Sequence, residues 1–422
     1  MPASTETRTF RTLLQRLTRA GFSKDFVHAA LLPDWWDDAC ADDPTLVQDF
    51  EFRVARFLGS SLEAVSDTSR PLAPPTYPAA QLRRVRDIGR DRLSAAIHVA
   101  IQVASATVRN VRDALPPQIL PADGLAWREA IARPGAAMQL ADVLRDLWTR
   151  GIPVIPLDVL PAPSFQGMAC VVEGRPAIVI GYKHDEPGRV AFLIAHEAAH
   201  IAAGDCAPGQ PVVDEEDEIR DDADIESLAD AYATRVLTGG AEVPDVNTSV
   251  SRDFKDLARQ ASVVERQSGA DASTVIFAWA RRTGDYATAT MAVKALYRNV
   301  GARRQLREHF AQHVNVADAS ETDQALLLLC APAALDSAAR RHEARGHQAA
   351  LRIAAIVSST RFHDRMMTST RTVSAMFSAP LQTADRIHVC CAGLRSSGGK
   401  HGRSRLRGFP ETAWCRPGRE SS

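Results

Sequence analysis

The stretch Arg189-Val190-Ala191-Phe192-Leu193-Ile194-Ala195-His196-Glu197-Ala198-Ala199-His200-Ile201-Ala202-Ala203 is apolar almost throughout, and Gly204 follows it. That composition predicts a buried helix over residues 189–203, with the glycine as its C-terminal stop. At about 3.6 residues per turn, positions four apart lie one above the other. His196 and His200 can therefore offer two imidazoles to one metal ion. Glu197 projects beside them, close enough to polarise a water on that metal, which is the mechanical basis of the His-Glu-x-x-His pattern. Three fixed residues in five positions also arise by chance, so the setting decides. Polar groups on a buried helix must be paired or coordinated, because burying them unpaired costs several kcal/mol, roughly.

A catalytic zinc needs a third protein ligand and an open position. Downstream lies a run dense in carboxylates, from Asp214 to Glu218 and on through Asp221, Asp222 and Asp224, most of which reads as solvated surface. Glu226 stands apart. It opens Glu226-Ser227-Leu228-Ala229-Asp230-Ala231-Tyr232-Ala233, within a helix expected over residues 222–237. Glu226, Ala229, Asp230 and Ala233 share one face, and the alanines allow a close approach to the first helix. Glu226 can then reach the metal, with Asp222 as the competing ligand. Asp230, one turn on, can hold a ligand histidine by its other ring nitrogen. For an oxyanion donor, Tyr182, His184 and Tyr232 are candidates. Upstream, residues 152–157, 169–173 and 176–180 are short, β-branched and bounded by Gly or Pro, and read as strands.

With these pieces in place the chain resembles the ImmA/IrrE metallopeptidases. The resemblance rests on Gly151-Ile-Pro-Val-Ile155, Pro176-Ala-Ile-Val-Ile180, Phe192 before Ala195-His-Glu-Ala-Ala-His200, and Glu226-Ser-Leu-Ala-Asp-Ala-Tyr-Ala233. All four agree in order and spacing, and the match covers about residues 150–240. The family usually has Gly where Ala199 stands, Asn where Asp230 stands and Phe where Tyr232 stands; none of these changes removes a ligand. The resemblance implies that His196, His200 and Glu226 bind Zn2+ and that Glu197 acts on the water. It also implies a protein substrate, a DNA-binding repressor of a stress response or mobile element.

The rest of the chain frames that region. Its 422 residues suggest two or three domains, and a formal net charge of −1 gives no overall bias toward nucleic acid or anionic membrane. The expected fold is α+β and predominantly helical, with a small zincin-like sheet packed on the histidine helix. The expected divisions are a helical, weakly helix-turn-helix-like region 1–68; a proline-rich linker 69–79; a metallopeptidase domain 80–245 with leading helices; a helical region 246–370; and a disordered tail 371–422. The would-be recognition stretch around Trp35 and Trp36 is acidic, so it favours a protein partner over DNA. Seven scattered cysteines without a CxxC pair fit reduced thiols in the cytoplasm. No apolar run is long enough to span a membrane. Arg341-His-Glu-Ala-Arg-Gly-His347 places its histidines five apart, out of register, and His309 and His313 lack an acid between them. Residues 393–400 only approximate a phosphate loop. The expected function is therefore a zinc endopeptidase, and the competing one is a non-catalytic regulator using the same fold as a sensor or binding module.

Overall fold

Four short strands form a sheet in the order β1-β3-β2-β4 in the computed structural model. They are β1 (Val154–Pro156), β2 (Gly167–Val172), β3 (Arg175–Ile180) and β4 (Val212–Asp214). β1 runs parallel to β3, while β2 is antiparallel to both β3 and β4. The β2–β3 link is two residues, Glu173 and Gly174, both with positive φ. That is the backbone a tight hairpin demands. The structure describes residues 9–33, 35–77, 90–112, 116–157, 159–181, 183, 185–214, 223–246, 253–297 and 301–330. All of these lie in one compact unit, Met1–Gln348. The tail from 371, the residues 341–347 and the residues 393–400 fall outside the described residues.

Both faces of the sheet are covered, which explains strands that are apolar at nearly every position instead of at alternate ones. Ile155, Ala177 and Val179 face one core, while Val154, Ile178 and Ile180 face another. The first core takes in α5 (Arg90–Arg109) and the N-terminal helices α1 (Phe10–Arg19), α2 (Lys24–Ala30), α3 (Pro44–Leu58) and α4 (Leu62–Ser66). It also receives α14 (Glu321–Leu328) and Phe310 of α13 (Ala302–His313). The proline-rich stretch lies against this core: Leu72 is buried in it, and the Tyr77 hydroxyl donates to His98 Nδ1 at 2.8 Å. His98 Nε2–H in turn donates to the Phe57 carbonyl at 2.7 Å.

The second core belongs to α8 (Pro187–Ala203), packed between the sheet and α9 (Ala223–Thr238), with α6 (Gly124–Ile131) and α7 (Leu140–Thr149) around them. α8 begins on a proline at its first turn, where the missing N–H costs nothing, and ends on Gly204 at φ 75°. Beyond the second core, α10 (Phe254–Ser268), α11 (Ala272–Thr283) and α12 (Tyr286–Leu296) make a third, small core. α11 docks on the start of α8, where Gly188 lies against the backbone of Ser273 and Thr274 with no room for a Cβ. The outcome is an α+β, mostly helical architecture with a small mixed sheet. Some elements differ from the sequence reading. α7 starts at Leu140, where the Asp142 carboxylate accepts from the Gln139 N–H at 3.1 Å. α6 and β4 carry no sequence signal that singled them out. Among the described residues no helix is long and apolar enough to cross a membrane.

Candidate metal centre

The i, i+4 spacing on α8 and the alanine face of α9 bring three side chains to one point. His196, His200 and Glu226 each offer a ligand atom, and these atoms lie within 4.8 Å of one another, close enough to hold a metal ion. His196 Nε2 is 3.2 Å from Glu226 Oε2, and His200 Nε2 is 3.8 Å from Glu226 Oε1. The two Nε2 atoms are 3.3 Å apart. All three residues are 5% exposed or less, and Glu197 is wholly buried.

Each histidine is oriented from behind. His196 Nδ1–H donates to Asp230 Oδ1 at 2.9 Å, one turn past Glu226 on α9. His200 Nδ1–H donates to Asp205 Oδ2, also at 2.9 Å. With Nδ1 carrying the proton, Nε2 of each ring is a lone pair. Two lone pairs and a carboxylate thus face one another in a site shielded from water. That arrangement is repulsive unless a cation sits among them, and carboxylates behind imidazoles are the usual orienting partners of metal-bound histidine. The His200 pKa is lowered, chiefly by burial and then by the neighbouring His196, which favours the neutral, ligating form.

Glu197 lies against the start of β2. Gly167 faces its carboxylate so closely that a Cβ there would collide with it. The nearby Cys170 thiol is pushed up to about 12 by burial and by Glu197, and Cys206 is raised for the same two reasons together with the charge of Cys170. Neither thiol is a ready nucleophile.

The remaining candidates fall elsewhere. Asp222, Tyr182 and His184 lie outside the described residues. Tyr232 is not available as an oxyanion donor: its hydroxyl donates to the Pro121 carbonyl at 2.8 Å, and its ring packs against Trp127. His313 stacks on Trp148 at 4.7 Å and donates to its own helix through Nδ1, and burial lowers the His309 pKa. This pair is packing, not a second centre. Sequence reasoning missed Asp205. Its signal is the Gly204-Asp205 pair: the left-handed glycine reverses the chain, Asp205 N–H returns to the His200 carbonyl at 2.9 Å, and the carboxylate swings beside the ring.

The fold and site together define a buried helix pair able to hold one metal ion. No family model matches this chain, and neither a curated protein nor a solved structure matches it.

Proposed function

We propose that this chain is a zinc-dependent peptide-bond hydrolase of the kind its sequence resembles, the ImmA/IrrE metallopeptidases. Its substrate would be a regulatory, repressor-type protein in the cytoplasm. One observation carries the reading: two imidazole lone pairs and the Glu226 carboxylate converge, with Glu197 wholly buried on the same helix. Two neutral imidazoles and one carboxylate suit zinc and leave a fourth position open. When bound, zinc would polarise the scissile carbonyl and acidify a water toward a pKa of about 7. Glu197 would take the proton of that water on its carboxylate and hand it to the leaving amine. Asp230 and Asp205 would hold the rings of His196 and His200 in the ligating tautomer. Gly167 gives Glu197 its space. A non-catalytic metal module would have no use for an acid at position 197, where an apolar residue would pack at lower cost.

The test is metal content followed by hydrolysis. Purified wild-type protein is expected to hold about one zinc per chain, as a single three-ligand site implies, and His196→Ala to hold none. Glu197→Gln is expected to keep the zinc and lose hydrolysis of a repressor substrate. Zinc absent from the wild type even after its addition would overturn the reading. Full zinc with no hydrolysis of any repressor would leave the sensor or binding module in its place.

A further inference from the structure

A chain of aromatic rings and arginines leads from the metal centre to the surface, and the mechanism above makes no use of it. Phe192 lies one turn before His196 on α8, with ring centroids 6.5 Å apart. Phe277 of α11 stands 6.5 Å from Phe192. Arg281, one turn further along α11, lays its guanidinium 5.7 Å from the Phe192 ring centre. Arg189, in the first turn of α8, lies 5.1 Å from the Phe277 ring centre and 5.4 Å from that of Tyr286 on α12. Phe192, Phe277 and Arg189 are half-buried, while Arg281 and Tyr286 are exposed. α11 and α12 thus bring side chains to the approach of a site whose ligands come from α8 and α9.

The chemistry of the strip is specific. A guanidinium stacked over a ring uses its flat face and keeps its N–H donors around the edge, where they fit a carboxylate. Other exposed arginines of the same region are committed to carboxylates: Arg282 to Asp245, Arg259 to Asp256 and Arg304 to Glu308. Among the described residues Arg281 has no such ion pair. Arg281, set over the half-buried Phe192 ring beside Phe277, offers an apolar bed with an anion-binding edge. An extended peptide advances about 3.3 Å per residue, so the two ring-to-ring steps from His196 to Phe277 correspond to about four residues.

We infer that this strip is the site's specificity surface for acidic polypeptide: it takes an apolar side chain on the Phe192 and Phe277 rings and an adjacent Asp or Glu on Arg281, within about four residues of the bond presented to the metal. The inference deepens the peptidase reading and rests on it for the position of that bond, but recognition can be measured without cleavage.

The experiment selects ligands from a library of randomised decapeptides on full-length Glu197→Gln protein as purified, followed by fluorescence anisotropy. Two labelled peptides, each with an apolar centre, are compared: one flanked by aspartates, the other by lysines. The selection is expected to enrich Asp and Glu beside apolar residues. Arg281→Gln is expected to weaken the aspartate-flanked peptide by about tenfold or more, as loss of a charge-assisted hydrogen bond implies, with zinc content and far-UV dichroism unchanged. Arg281→Glu is expected to shift preference toward the lysine-flanked peptide, so the result does not depend on one variant. No selected peptides, no acidic enrichment, or enrichment that survives Arg281→Gln would overturn the inference. Hydrolysis of the same library by the wild type is read separately. Cleavage without acidic preference would sink this inference and spare the peptidase reading; acid-selective binding without any cleavage would do the reverse.

Discussion

Asp205 and Asp230 occupy matching positions behind the two histidines, yet they arrive there differently. Asp230 follows from helix spacing alone, since it lies one turn beyond Glu226 on the same face of α9. The same regularity made His196, His200, Glu197 and Glu226 legible as candidates before any coordinates. Asp205 depends on a chain reversal at Gly204, which a helical period does not describe. Gly167 depends on the fold of a distant strand, and no local signal marks it. Removing either orienting carboxylate leaves a ring free to turn or change tautomer. Asp205→Ala and Asp230→Ala are each expected to weaken metal affinity by roughly 10–100-fold. Competition against a chromophoric chelator would measure it, and unchanged affinity in both would show that the rings need no such support.

Among the elements, β2 and β3 were legible because β-branched runs bounded by Gly and Pro have few other fates. α8 was legible from its apolar length. β4 was not, because Val212–Asp214 is only three residues long and becomes a strand through pairing with β2, a partner some forty positions away. The docking of α11 on α8 was equally hidden, since it rests on the absence of a side chain at Gly188. That contact fixes where the aromatic strip meets the helix that carries His196 and His200. Gly188→Ala is expected to cost roughly 1–3 kcal/mol by overpacking, read from urea denaturation. Because the clash lies on the α8–α11 seam, selectivity for acidic peptides should fall more than metal content. Unaltered stability and selectivity would mean the two helices are not closely seated.

For the molecule as a whole, His98 ties three parts of the chain together: α5, which carries it, α3 through the Phe57 carbonyl, and the proline-rich stretch through Tyr77. Burial lowers its pKa below the usual 6.5, against the smaller upward pull of the Phe57 carbonyl. The unfolded chain therefore binds this proton more readily than the folded one. Stability should be intact above pH 6.5 and should fall as the pH drops from there toward the folded pKa. Urea midpoints at about pH 7.5 and about pH 5.5 would show the difference, and His98→Gln should reduce it; an equal slope in the variant would assign the effect elsewhere. This long-range tie could not be read from the sequence, where the proline run and residue 98 belong to separate segments with no pattern in common.

The ligands of the candidate centre are divided between α8, which lies against the sheet, and α9, which lies against α6. An ion held there would act as a clasp between two layers. Deprived of it, the chain would keep two lone pairs and a carboxylate pressed together at a buried seam, and opening that seam would relieve them. A cell short of the metal would then lose the protein itself to quality-control proteases. Its abundance would follow the metal supply without any separate sensor.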